Sequence, residues 1–152
     1  MTLKEVEKRL QILEDIEEIR RLHHDYIYQL NNKQYDEIIE SFADDGWANI
    51  WKHGLHKGKA EITKLFKVNI TQINAGSVAH FVVEPVITVE GDRAKGYWMM
   101  YMLFTDPATG LPSKWSQGRH DAEYVKINGK WKFYSVKFTR PWPRTPETLP
   151  KD

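Results

Sequence analysis

The sequence contains no cysteine. That excludes disulfides, thiolate catalysis and cysteine-ligated zinc, and it suits the cytoplasm. Charge of one sign is also lacking, since 22 lysines and arginines almost cancel 21 aspartates and glutamates. No net field is present to hold a nucleic acid backbone or an anionic membrane, so neither is expected as a partner. No stretch approaches the roughly 20 apolar residues of a membrane-spanning helix. The amino terminus, Met1-Thr2-Leu3-Lys4-Glu5-Val6-Glu7, is charged where a signal peptide is apolar. Glycine-rich phosphate cradles, serine elbows and dinucleotide fingerprints are absent, and no cofactor is implied. No metal is expected either: His53 and His56 form a lone His-x-x-His pair in a glycine-flanked loop. The adjacent His23 and His24 point in different directions on a helix.

What is present is one ordinary domain's worth of chain. With 152 residues, 41% of them hydrophobic and 28% charged, a single core suffices. Leu3, Val6, Leu10, Leu13, Ile16, Ile19, Leu22, Tyr26 and Leu30 recur at helical spacing without proline or glycine, and Thr2 with Glu5 forms a capping box. One long helix over residues 3–30 follows. The 3,4,3 spacing of its first third suits packing on its own domain or on a second subunit. Tyr35, Ile38, Ile39 and Phe42 predict a second helix ending at Ala43-Asp44-Asp45-Gly46. Trp47-Ala48-Asn49-Ile50-Trp51 reads as a short strand, and Lys52 to Gly58 as a loop. Ile62, Leu65, Phe66 and Ile70 mark a third helix that stops before Asn74-Ala75-Gly76.

From Val78 onward the pattern is β. Strands are expected at 78–89, 95–105, 115–127 and 130–139, with turns at Glu90-Gly91-Asp92, Asp106 to Gly110 and Asn128-Gly129. Residues 1–140 form the domain. The segment 141–152 holds four of the seven prolines and reads as an extended tail. Consecutive hairpins make a mainly antiparallel sheet with its helices on one face, an α+β fold. Between Gly96 and Phe104 both parities are large and apolar, so both faces of that strand require cover. One face meets the helices, and a second copy of the chain is the simplest cover for the other. A homodimer through the convex face is the expectation.

The motifs Ile16-Glu17-Glu18-Ile19-Arg20-Arg21-Leu22, Tyr26, Tyr35-Asp36-Glu37-Ile38, Phe42-Ala43-Asp44-Asp45, Gly58-Lys59-Ala60-Glu61-Ile62, His80 and Asn128-Gly129-Lys130-Trp131-Lys132-Phe133 come in a telling order. Together they resemble the SnoaL-like branch of the nuclear transport factor 2 like superfamily. The resemblance implies a cone: three N-terminal helices packed on a curved antiparallel sheet that encloses a pocket. Members similar to scytalone dehydratase or bile acid dehydratase are cofactor-free lyases, while others are isomerases, cyclases or ligand-binding subunits without activity.

His80 is the first candidate for chemistry. It opens the first meander strand, where the family's catalytic histidine is similarly placed, and imidazole exchanges protons best near neutrality. A structural histidine with satisfied hydrogen bonds is the competing reading. Tyr26 matches a tyrosine that family dehydratases aim into the pocket, where a phenol holds developing negative charge; otherwise it is a core tyrosine. Asn31 stands where related eliminases carry an aspartate, and Met102 where bile acid dehydratase-like members carry one. A neutral amide orients a histidine but supplies no charge. Trp98, Met100, Met102 and Phe104 line the cavity if they face the concave side. His120 lies on the third strand, facing either the cavity or outward. Arg140 either pairs with an anionic substrate group or tethers the tail. Glu84, before Pro85, is read as structural. Two functions result: a cofactor-independent lyase or isomerase acting on a mostly apolar ring compound of polyketide, terpenoid or steroid type, and a non-catalytic ligand-binding or subunit-assembly domain.

Overall fold

A computed structural model describes residues 1–71 and 77–140. The stop expected at Asn74-Ala75-Gly76 and the extended tail expected over 141–152 lie outside the described residues. Helix α1 spans Leu3–Asn31 and begins with the capping box, in which the Glu5 amide donates to the Thr2 hydroxyl and the Thr2 amide to the Glu5 carboxylate. Its buried positions are Asp15, Ile19, His23, Tyr26, Ile27 and Leu30. Leu3, Val6, Leu10 and Leu13 remain exposed, so among the described residues the first third of the helix packs on nothing. No helix of the described residues is long and apolar enough to cross a membrane.

Helix α2 covers only Tyr35–Glu40, and strand β1 runs from Phe42–Asn49. The helical spacing that carried the second helix to Asp45 is overridden by pairing. The Phe133 amide donates to the Ser41 carbonyl, Phe42 pairs with Phe133, and the Phe42 ring is fully buried beside Phe66 and Phe133. Gly46 permits the register shift that follows, because a Cβ there would lie 2.9 Å from the Ala43 carbonyl oxygen and 3.0 Å from that of Tyr134. Trp51 leaves the strand and enters a 3-10 turn, Trp51–His53. The expected loop contains a short strand, β2, at Leu55–Lys57, antiparallel to β1. Helix α3, Lys59–Lys64, continues into a π-helical stretch, Leu65–Ile70. The Lys59 ammonium donates to the carbonyls of Ile39 and Phe42, tying α3 to α2 and to the start of β1.

Strands β3 (Ser77–Glu90), β4 (Arg93–Thr105), β5 (Pro112–Ile127) and β6 (Lys130–Thr139) form the meander. The six-stranded sheet stays open in the order β2-β1-β6-β5-β4-β3, antiparallel except for β1 beside β6. Even-numbered residues of β4 and β5, among them Trp98, Met100, His120 and Tyr124, face α1 and the core. In β3 a bulge at Glu84-Pro85, with Glu84 at φ 51°, shifts the parity. His80 and Val82 turn inward before it, and Ile87 and Val89 after it. The outward residues Phe81, Val83, Val86, Tyr97, Leu103 and Trp115 are large, apolar and exposed. The architecture is thus an α+β cone, with helices on one sheet face and, among the described residues, exposed apolar side chains on the other.

Candidate functional site

A cavity of about 100 Å³ lies between α1 and the inner sheet face, lined by Tyr26, Leu30, Ile50, Ile70, Val78, Met100, Met102, Phe104 and Phe138 together with His80 and His120. Trp51, His53 and Arg140 complete its lining. The exposed Arg140 guanidinium sits 5.4 Å from the Trp51 ring and 5.7 Å from that of Phe138. It stacks on the aromatic rim.

His80 is fixed by the last residue of α1. The Asn31 amide group donates to the His80 carbonyl over 2.9 Å, and the Asn31 side-chain oxygen accepts from the His80 backbone N–H at 2.8 Å. The same oxygen lies 3.0 Å from His80 Nδ1. An oxygen only accepts, so the hydrogen of the neutral ring sits on Nδ1, and Nε2 keeps its lone pair. No described residue hydrogen-bonds Nε2. Burial pushes the His80 pKa down to about 4, because the cavity wall solvates a charged imidazole poorly and no carboxylate offsets the loss. At neutral pH the group is an unprotonated, oriented imidazole.

Tyr26 projects from α1 with its ring 2% exposed. Its hydroxyl bonds no described residue, and burial pushes the phenol well above its usual range. It is therefore a standing donor.

His120 faces inward, which settles the parity left open by the sequence. Its Nδ1 lies 3.0 Å from Nε2 of His23, and His23 Nδ1 lies 2.7 Å from the Tyr124 hydroxyl. That hydroxyl also accepts from the Trp98 indole N–H at 2.9 Å. His23 is fully buried and stacks on Trp98 at 4.3 Å between centroids. Burial holds both histidines neutral: the His120 pKa falls to about 3, helped by the nearby His80, and His23 lies well below its ordinary value.

Of the residues nominated from sequence, His80, Tyr26, Met100, Met102, Phe104, His120 and Arg140 line one cavity. Asn31 stands behind His80 and does not line it. Trp98, expected on the wall, is fully buried beneath it, since its indole is committed to Tyr124. Tyr124 was not singled out, and His23 was weighed only beside His24 as a metal pair and set aside. The signal for His23 was its place in the α1 stripe, four residues after Ile19 and three before Tyr26. His56 is structural: its ring nitrogens contact the carbonyls of Glu61 and His53. Among the described residues no group of three or more His, Asp or Glu is placed to hold a metal ion.

Several solved structures share this fold. An NTF2-like protein with a cystatin-like fold from Novosphingobium aromaticivorans aligns over 97% of this chain and 94% of its own, with TM-score 0.79 and 23% identity. A hexachlorocyclohexane dehydrochlorinase, LinA-type3, from Novosphingobium barchaimii aligns over 88% and 91%, with TM-score 0.75 and 17% identity. An NTF2-like protein from Pseudomonas putida aligns over 88% and 90%, with TM-score 0.72 and 19% identity. At these identities the likeness establishes the fold alone. A sequence search of curated proteins finds no match. The family model of the SnoaL-like domain matches residues 11–137, from the middle of α1 to the end of β6. With motif order and family model in agreement, the chain belongs to the SnoaL-like domain family.

Proposed function

We propose that this protein is a cofactor-independent lyase or isomerase that takes a proton from carbon in a small, mostly apolar cyclic molecule, with His80 as general base. The observation that carries this reading is the free Nε2 of a neutral His80 ring, held by Asn31 at an apolar cavity. The base removes the proton, and the C–H electron pair becomes a carbon–carbon double bond. Either a group on the adjacent carbon leaves with its own electron pair, or His80 returns the proton elsewhere on the substrate. The Tyr26 hydroxyl steadies charge on a substrate oxygen as it develops. A base with a pKa of about 4 is weak, so the reading favours a C–H bond already acidified by a neighbouring carbonyl. The fold shared with a dehydrochlorinase supports a reaction of the elimination type. Cavity size argues for one small ring, since about 100 Å³ is close to the roughly 150 Å³ that accommodates benzene.

The test is solvent exchange. Incubation with β-hydroxy ketones of single-ring size in heavy water should place deuterium at the acidic carbon. His80→Ala should slow this about a hundredfold or more, and Tyr26→Phe about tenfold to a hundredfold. An unaltered rate in His80→Ala removes His80 from the mechanism. The competing reading, a ligand-binding or assembly domain without activity, draws on the missing carboxylates at Asn31 and Met102; binding without exchange would select it. The exposed apolar outer face supports a homodimer in either case.

A further inference from the structure

The contact between His23 and His120 lies outside the residues the proposed reaction uses, yet it decides what one wall of the cavity offers a ligand. An indole N–H only donates, so the Tyr124 oxygen is the acceptor of the bond from Trp98. The hydroxyl has one hydrogen of its own. His23 Nδ1, at 2.7 Å, is the acceptor within its reach among the described residues. A neutral His23 that accepts at Nδ1 carries its hydrogen on Nε2 and donates it to His120 Nδ1 across 3.0 Å. His120 is left with its hydrogen on Nε2, which bonds no described residue. The opposite polarity would have the Tyr124 oxygen accept twice and would leave its O–H buried without a partner. A charged His23 has no carboxylate to pair with in this fully buried cluster.

We infer that Trp98, Tyr124 and His23 act as a tautomer lock that makes His120 a fixed neutral N–H donor at the cavity wall, selecting ligands that present a carbonyl or comparable acceptor. His120 is the ligand-contacting group; His23 and Tyr124 are positioning residues. The use of that donor on a substrate rests on the function proposed above, whereas the tautomer does not. The lock also separates donating a hydrogen bond from donating a proton. If His120 gave up its hydrogen, the shifts along the chain would end in a phenolate at Tyr124, whose pKa burial pushes far upward. His120 therefore steadies an oxyanion without protonating a leaving group. The reactions that fit are isomerisations in which His80 returns the proton it took, and eliminations whose leaving group departs as a stable anion.

Nitrogen-15 and proton NMR of the ring-labelled full-length protein at neutral pH tests this without any turnover. Protonated and bare imidazole nitrogens resonate in separate ranges, so His120 should appear as a single tautomer with hydrogen on Nε2. A hydrogen on Nδ1, on both nitrogens, or averaged between the two overturns the lock. In Tyr124→Phe, His23 loses its donor, and the His120 signals should move toward a mixture of tautomers. A folded variant that keeps the pure Nε2–H form removes Tyr124 from the mechanism. If that variant does not fold, the wild-type tautomer decides alone. Addition of cyclohexanone should displace the His120 Nε2–H proton resonance, and methylenecyclohexane, its counterpart without an acceptor, should not. An Nε2–H signal indifferent to cyclohexanone overturns the ligand contact. Absence of deuterium exchange with the lock intact would instead count against the proposed reaction.

Discussion

Three histidines buried in the neutral state make stability depend on mild acid. Unfolded, His23, His80 and His120 bind protons around their ordinary value of 6.5; folded, His80 waits until about 4, His120 until about 3, and His23 is likewise held well below. Between those limits the unfolded chain binds more protons than the native one, so acid draws the equilibrium toward unfolding. The stabilisation is complete above pH 6.5 and is lost as pH falls toward the folded values. Each group forfeits about 1.4 kcal/mol per pH unit below 6.5. At about pH 5.5 the three together cost about 4 kcal/mol, a large share of the roughly 5–15 kcal/mol that stabilises a domain. With a urea dependence of about 2 kcal/mol per molar, the midpoint should drop by about 2 M between about pH 7.5 and about pH 5.5. Trp98, fully buried against His23, gives a fluorescence signal for the transition. The Asp15 carboxyl does not confuse the result. Burial raises its pKa, but bonds from Lys126 and Trp131 outweigh this and hold it below 3.8. Its stabilisation is present above that value and fades only as pH falls through its folded pKa. A urea midpoint that stays put between the two pH values would refute the claim that these rings are buried and neutral.

Lys126→Met strips the ammonium from Asp15, which is only 4% exposed. The carboxylate keeps the Trp131 N–H, so the expected loss is about 2–3 kcal/mol, read in calorimetry as a melting point lower by roughly 5–10 °C. Gly118→Ala would drive its methyl group against the Phe138 ring and to 2.6 Å from the Thr139 carbonyl oxygen. A loss of about 1–3 kcal/mol in urea unfolding is expected, and unchanged stability would mean that Phe138 has room to move. Asn31→Asp should raise the His80 pKa by opposite-charge attraction, visible in an NMR titration. It should also lower stability by about 1–3 kcal/mol, because the His80 carbonyl loses its donor. Light scattering should find a dimer of the 17.9 kDa chain built on the exposed outer sheet face; a single-chain mass would remove that reading.

The hairpins were legible because turn chemistry is local: Asn128, at φ 50°, and Gly129 adopt the left-handed backbone that this dipeptide favours. The stripe of α1 was legible as far as its apolar residues went. Polar members of the buried stripe were not, because Asp15 and His23 are recognisable as interior only once Lys126, Trp131, Tyr124 and His120 arrive from more than 90 residues away. The beginning of β1 failed for a similar reason. Phe42 fits a helical spacing on its own and becomes a strand residue only beside β6, a pairing that spans most of the chain. At the site, strand parity brought Met100, Met102 and Phe104 to the cavity. It gave no indication that Trp98, of the same parity, would be held deeper by a hydroxyl on the neighbouring strand.

Asn31 has a consequence for the sheet as well as for its histidine. β3 is an edge strand, and an edge offers unpaired N–H and C=O groups to any chain that can pair with them. At His80 both groups are taken by a side-chain amide, which presents one donor and one acceptor side by side, as the backbone of a neighbouring strand would. The end of α1 thus serves as a strand one residue long. It seals the sheet margin at the very residue whose ring reaches the cavity. A carboxylate cannot take that place, having no hydrogen to give the His80 carbonyl. A gain in charge beside the His80 ring would therefore reopen the edge of the sheet, and the identity of residue 31 is answerable to the fold before it is answerable to any chemistry.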